Sequence, residues 1–242
     1  MRPLHTTNLT LSEFGGQTPP PLVVWWDEPE VTTPPYAILS HTWDGDEILF
    51  HEIANPTFDL SVKKPSSYAK ITSCCAQARN DNLDWVWIDT CCIDKSSSAE
   101  LSEAINSMYR WYHNAAVCYA FLSDVEPLSG WNRLDKASFF GTRWFRRGWT
   151  LQELLAPQHV RFFARDWTEI GTRFGLRKLI SQRTRIRTEA LLGQYLGGLS
   201  VGERMSWTWS RQTTRVEDQA YCLLGLFEIN MPLLSDTSAT SV

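Results

Sequence analysis

The sequence predicts an α/β fold built on a parallel sheet flanked by helices, and three observations carry that expectation. Trp85-Val86-Trp87-Ile88 is a short apolar run that stops at Asp89. Apolar residues then recur at 101, 104/105, 108, 111/112 and 115, the spacing of an amphipathic helix. Residues 116–122 form a second apolar run, of the length of a buried strand and too short to cross a membrane. Strand, helix and strand within about forty residues make a parallel βαβ unit. Ligands of such units sit where strands end and helices begin, which singles out Asp89, Ser96, Ser97, Ser98, Glu100 and Glu103.

The other elements follow in order. Residues 1–14 suggest a short strand and turn. Residues 15–35 are loop-like, because Gly15-Gly16, Pro19-Pro20-Pro21 and Pro34-Pro35 oppose regular structure, and Trp25-Trp26 is expected to pin this loop to the body. Tyr36-Ala37-Ile38-Leu39-Ser40 reads as a buried strand that ends at His41-Thr42-Trp43 and the turn Asp44-Gly45-Asp46. A helix begins at Pro65, with Tyr68, Ile71, Cys75 and Ala78 on one face and an exit near Asn80. Residues 124–133 are a loop. Residues 139–156 are helical in pieces, interrupted near Gly141 and Gly148 and closed by Pro157, and residues 160–164 are another strand. The arginine-rich pattern after Trp167 is helical. A last helix is expected from about Val216 to Phe227, with Ala220, Leu223, Leu224 and Phe227 inward.

The 242 residues suffice for one large domain or one domain with an appendage. Most of the twelve tryptophans lie in or beside apolar runs, where they are expected to be core. The six cysteines show no metal-ligand spacing and no framework pattern, which points to reduced thiols. The first residues lack the apolar segment of a signal peptide, and no run approaches a membrane span. A cytoplasmic protein is expected. The net charge of −4 hides an asymmetry: residues 141–190 hold eleven Lys/Arg against four Asp/Glu. Without interleaved aromatics this basic stretch suits a solvated face or an intramolecular partner better than a nucleic-acid surface.

Four segments resemble one family. YAILSHTW (36–43), WIDTCCIDKSSSAELSEAINSMYRWY (87–112), FRRGWTLQELLAP (145–157) and RMSWTWSRQTTRVEDQAYCLLGLFEINMP (204–232) are similar, in order, to the motifs of the fungal HET, or heterokaryon incompatibility, domain. The resemblance implies an effector of fungal nonself recognition that triggers programmed cell death when unlike hyphae fuse. It also implies a flavodoxin-like core, because HET domains more distantly resemble Toll/interleukin-1 receptor (TIR) domains. Leu39-Ser40-His41 matches the TIR first strand, Trp87-Ile88-Asp89 the second strand and residues 149–154 the third box. The chain then divides into an extension over 1–35 packed on the body, a HET domain over 36–234 and a frayed tail over 235–242. The TIR-like core runs to about residue 165 and the added C-terminal helices from about 166. After Met231-Pro232, where family members continue with Tyr-Gly-Glu-Gly and further helices, this chain has LLSDTSATSV, which implies a short form or a piece of a longer protein.

Many TIR domains cleave NAD at the nicotinamide–ribose bond through a glutamate on the helix after the second strand. The matching positions here are Glu103 and, less well, Glu100. A carboxylate there can stabilise or trap the cationic ribose, yet a glutamate in a first helical turn also simply complements the helix dipole. Asp89 ends a buried strand, where an acid needs a partner or a ligand. His41 is a base or ribose contact, or a structural histidine. Ser40 and Trp43 line the same edge, and Ser98 with the neighbouring amides can receive a pyrophosphate. Arg146, Arg147, Trp149 and Glu153 suggest a buried Arg–carboxylate network on one helix. A Cys91/Cys92–His41 nucleophile pair has no supporting spacing. No cofactor is required, because NAD would be substrate. The expected partners are NAD or a related nucleotide, further copies of the chain and incompatibility partner proteins, with neither membrane nor nucleic acid. The alternative is a non-enzymatic signalling module that acts by self-association and partner recruitment.

Overall fold

The computed structural model describes residues 1–14, 33–127, 135–193 and 198–231. Its frame is a six-stranded sheet of β1 (Leu4–His5), β2 (Tyr36–His41), β3 (Trp85–Trp87), β4 (Val117–Phe121), β5 (Val160–Phe163) and β6 (Glu169–Thr172), ordered β1-β3-β2-β4-β5-β6. The inner pairs β3–β2, β2–β4 and β4–β5 are parallel. At the margins β1 runs antiparallel to β3, and β6 antiparallel to β5. The sheet is therefore mixed, which corrects the expectation of a parallel one. An antiparallel neighbour needs only a tight connection: β5 reaches β6 through a turn in which Trp167 adopts the left-handed conformation (φ 64°). The stretch after Trp167, expected to be helical, thus gives a strand first.

Helices fill the connections: α1 (Phe50–Ile53), α2 (Leu60–Lys63) and α3 (Pro65–Asn80) between β2 and β3, and α4 (Ser98–Asn114) between β3 and β4. α5 (Lys136–Gly141), a 3-10 turn (Arg143–Arg146) and α6 (Thr150–Leu155) lead to β5. Beyond β6 come α7 (Arg173–Thr184), α8 (Thr188–Leu191), α9 (Val201–Ser206), α10 (Asp218–Tyr221) and a 3-10 turn at Gly225–Phe227. Pro65 suits the first turn of α3, where no amide partner is needed, and Ile71, Cys74, Cys75 and Ala78 form its buried stripe. In α4 the Ser97 hydroxyl accepts from the Glu100 amide, satisfying one of the free amides at the helix start. Its apolar face carries Ala104, Met108, Trp111 and Tyr112 inward. Tyr112 donates to the Leu39 carbonyl at 2.9 Å, and Trp111 lies 5.2 Å from Trp87, ring centre to ring centre.

Two other expectations change. The last helix breaks into α10 and a 3-10 turn, leaving Ala220 exposed while Tyr221, Cys222, Leu223, Leu224 and Leu226 are buried. Arg146 and Glu153 do not share one helix, since Arg147, Gly148 and Trp149 separate the 3-10 turn from α6. Trp25-Trp26, most of the 124–133 loop and the tail over 235–242 lie outside the described residues. All six cysteines are buried and free. Trp87, Trp144 and Trp207 are fully buried, whereas Trp43 and Trp209 are exposed. The basic stretch meets acids and carbonyls of the same chain: Arg161 bridges Asp81 and Glu169, Arg143 reaches Asp44, and Arg173 binds the carbonyls of Leu154 and Gln158. Among the described residues no helix is long and apolar enough to cross a membrane, and no group of His, Cys, Asp and Glu is arranged to hold a metal ion.

Candidate functional site

β3 and β4 lie on opposite sides of β2, so the chain's path across the sheet reverses at β2, and the carboxyl ends of strands at such a reversal border a crevice. Successive side chains of a strand face opposite ways, and the last two residues of β2 use both faces. His41 turns toward α3 and Ser40 toward α6.

On the His41 side, Nε2 donates to Asp89 Oδ1 at 3.0 Å, and the Trp43 indole donates to Asp89 Oδ2 at 2.9 Å. Both oxygens of Asp89 are thereby engaged just beyond β3. The other imidazole nitrogen, Nδ1, is buried without a hydrogen bond, 3.9 Å from Glu47 Oε1. Glu47 is held by Lys70 of α3, by the Asp44 amide at 2.9 Å and by the Ser67 hydroxyl at 3.3 Å. Burial disfavours the Asp89 carboxylate. The His41 hydrogen bond and the charges of His41, Lys95 and Arg147 outweigh it, holding the group well below the usual carboxylate range. Lys95 Nζ sits 3.7 Å from the centre of the Trp43 ring, and the Arg147 guanidinium carbon 5.3 Å from it. Burial lowers the Lys95 ammonium against the pull of Asp89.

On the other side, the Ser40 hydroxyl donates to Glu153 Oε2 at 2.5 Å and accepts from the Trp144 indole at 2.8 Å. Glu153 is 7% exposed, in a helix whose six residues are all buried. Burial pushes it up to about 7; Ser40 opposes this, Asp89 reinforces it, and Arg147 and Arg211 oppose it. Arg147 is fixed by the segment that follows α9. Arg211 donates to the Arg147 carbonyl at 2.8 Å and to Thr150 Oγ1 at 2.7 Å, and the Gly148 amide donates to the Gln212 carbonyl at 2.8 Å. Gly148 permits that approach, because a Cβ there would stand 2.5 Å from Thr213 Cγ2.

The structure thus brings His41, Trp43 and Asp89 together, with Ser40 on the opposite face of β2. Ser98, Glu100 and Glu103 stand apart, and among the described residues no hydrogen bond or ion pair links them to the His41–Asp89 pair. Glu100 accepts from Arg2 and from the Asp94 amide, each at 2.9 Å. Glu103 is exposed and lines, with Arg2, Glu13, Cys92 and Trp111, a hollow of about 490 Å³. Ser98 is exposed at the start of α4. Cys92 accepts from the Ile88 amide, and the Cys92 contact and burial push the Cys91 thiol well up, away from a thiolate nucleophile. Lys95, Arg147 and Glu153 join the site beyond those singled out for it from sequence. The available signal for Glu153 was an acid set among the buried-type leucines of TLQELL.

An α/β sheet with a charged cluster at its carboxyl edge defines the class, and comparison with known proteins gives the family. Residues 36–140 match the family model described as Heterokaryon incompatibility protein (HET). Over 217 residues the chain is 46% identical to the vegetative incompatibility protein HET-E-1 of Podospora anserina, covering 86% of this chain and 15% of that protein. No solved structure matches the chain. The chain belongs to the fungal heterokaryon incompatibility family and carries its HET domain.

Proposed function

We propose that this chain is an effector portion of a fungal nonself-recognition protein that triggers incompatibility-linked cell death, and that it does so by cleaving NAD between nicotinamide and ribose. The name of its relative, a vegetative incompatibility protein, supports the biological half. The inner strands support a flavodoxin-like, TIR-like core: taken in chain order they lie second, first, third, fourth across the sheet, an arrangement whose ligands bind at the reversal.

One observation carries the chemical half: Glu153, a carboxyl group buried at the end of β2, within the fields of Asp89 and Arg147. Cleavage breaks the C1′–N bond, and its electron pair goes to the nicotinamide nitrogen, cancelling that ring's positive charge. The ribose is left as an oxocarbenium ion, which a carboxylate in a water-poor site stabilises strongly. Water then bonds to C1′ and releases one proton, which the carboxylate accepts. A group with a pKa of about 7 serves both steps near neutral pH. Glu103, implied by the family resemblance, is the rival carboxylate.

A second reading, a non-enzymatic module acting by self-association, draws on a different observation. Val201 and Met205 are large, exposed and four residues apart on α9, the spacing of one helix face, and exposed Trp209 lies in the turns that follow it. Incubating the protein with NAD over a rising concentration series and quantifying nicotinamide separates the two. The enzyme reading predicts release that increases with assembly. No release at any concentration contradicts it and leaves the module reading.

A further inference from the structure

We propose that Lys95 and Arg147, gathered on the Trp43 indole, are the binding site for the diphosphate group of a nucleotide, with Trp43 as its movable cover. The inference builds on the nucleotide reading of the same site and adds the part of the ligand that these side chains take.

Lys95 is the first argument. Its Nζ is out of contact with solvent and, among the described residues, has no hydrogen-bond partner. An ammonium carries three donors, and leaving them unmade in a buried place is costly. Its contacts are the face of Trp43 at 3.7 Å and the field of Asp89, whose two oxygens are already taken by His41 and Trp43. Arg147 is the second. Its guanidinium lies over the same ring, and among the described residues it donates no hydrogen bond and joins no ion pair. Glu47 is matched by Lys70, and Asp89 is one anion shared among His41, Lys95 and Arg147. Arg147 also lies in the fields of Glu153 and Asp218, two carboxyls that burial pushes toward the neutral form. Two cations on one indole match the two charges of a diphosphate better than the single charge of a carboxylate. A guanidinium and an ammonium are also the side chains that bind phosphate oxygens most strongly, the first as a fork and the second as a point charge.

Trp43 supplies the way in. It is 40% exposed, lies two residues beyond the end of β2, and among the described residues its indole nitrogen makes a single hydrogen bond, to Asp89. Turning the ring outward uncovers Lys95 and frees one oxygen of Asp89 at the sheet reversal, where ligands of α/β sheets bind. The displaced indole then offers its face to a planar base or nicotinamide ring.

Binding is measured by calorimetry with ADP-ribose, ADP and inorganic pyrophosphate, none of which has a nicotinamide to lose. Wild type is expected to bind ADP-ribose, and Lys95→Met and Arg147→Met each to weaken it at least tenfold. Lys95→Met is expected to melt no lower than wild type without ligand, because it removes a buried cation that lacks a hydrogen bond. Similar binding of all three probes assigns the cations to any diphosphate; ADP-ribose binding alone assigns them to a diphosphate that bridges an adenosine and a second ribose. A folded Lys95→Met that binds ADP-ribose as tightly as wild type overturns the proposal, as does a wild type that binds none of the probes. Should Lys95→Met fail to fold, indole fluorescence decides: ADP-ribose must change the emission of wild type and not that of Trp43→Phe, and an equal change in both refutes the cover. ADP-ribose binding without nicotinamide release would refute the cleavage reading and leave this one standing.

Discussion

At the scale of single residues, Glu153 and Asp89 pull the pH response in opposite directions. Glu153 titrates near 7 in the fold, against an ordinary value of 4.5. Between those values the native protein keeps a proton that the unfolded chain has released. Rising pH therefore weakens the fold across that window, and the full cost, about 3 kcal/mol at most, is reached above pH 7. Asp89 does the reverse: held below its ordinary 3.8, it stabilises the fold above that pH and loses the contribution as pH falls further. Glu153→Gln should accordingly match wild type in urea denaturation at pH 5 and exceed it by about 1–3 kcal/mol at pH 8. An equal difference at both pH values would contradict the buried, proton-holding role. Asp89 and His41 were legible in the sequence because each closes an apolar run with a polar group. Glu153 was legible as a buried acid, but its place in the site was not, because its partner Ser40 lies 113 positions away and only the sheet brings the two together.

At the scale of elements, α4 organises the packing. Its period was readable, and with it the βαβ unit from β3 to β4. The C-terminal segment meets the outer side of α4 through Gly225, where a Cβ would stand 2.1 Å from Tyr109 Cβ and 2.6 Å from Cγ. Tyr109 cannot yield there without moving α4, since the contact is with the root of its side chain. Gly225→Ala should therefore lower stability by about 1–3 kcal/mol, visible as a fall in thermal midpoint. Gly141→Ala, with nothing within 4 Å of the added carbon, should change it little. Equal effects would show that Gly225 is not packed as described. Of the edge strands, β1 falls in the short strand and turn expected over residues 1–14. β6 was illegible for a different reason: none of its four residues is buried, so it carries no apolar run to read. The final helix failed for a related reason: from Tyr221 to Leu224 four consecutive side chains are buried, which a one-sided helical stripe cannot provide.

At the scale of the whole molecule, the basic stretch and the acidic remainder are partners within one fold, through Arg161 with Asp81, Arg143 with Asp44, and Arg147 in the field of Asp89. Arg143 with Asp44 and Arg147 with Asp89 place charge beyond the carboxyl ends of β2 and β3, whereas Asp81 precedes β3 and Arg161 lies near the start of β5. The proposed chemistry resides at this carboxyl edge, in Glu153, and not on the exposed turn of α4 that holds Glu103. Nicotinamide release from NAD by wild type, Glu153→Gln and Glu103→Gln, each shown folded by circular dichroism, tests it most directly. Glu153→Gln is expected to lose roughly a hundredfold in rate, while Glu103→Gln stays within about threefold of wild type. Loss of release in Glu103→Gln with Glu153→Gln unaffected would contradict it.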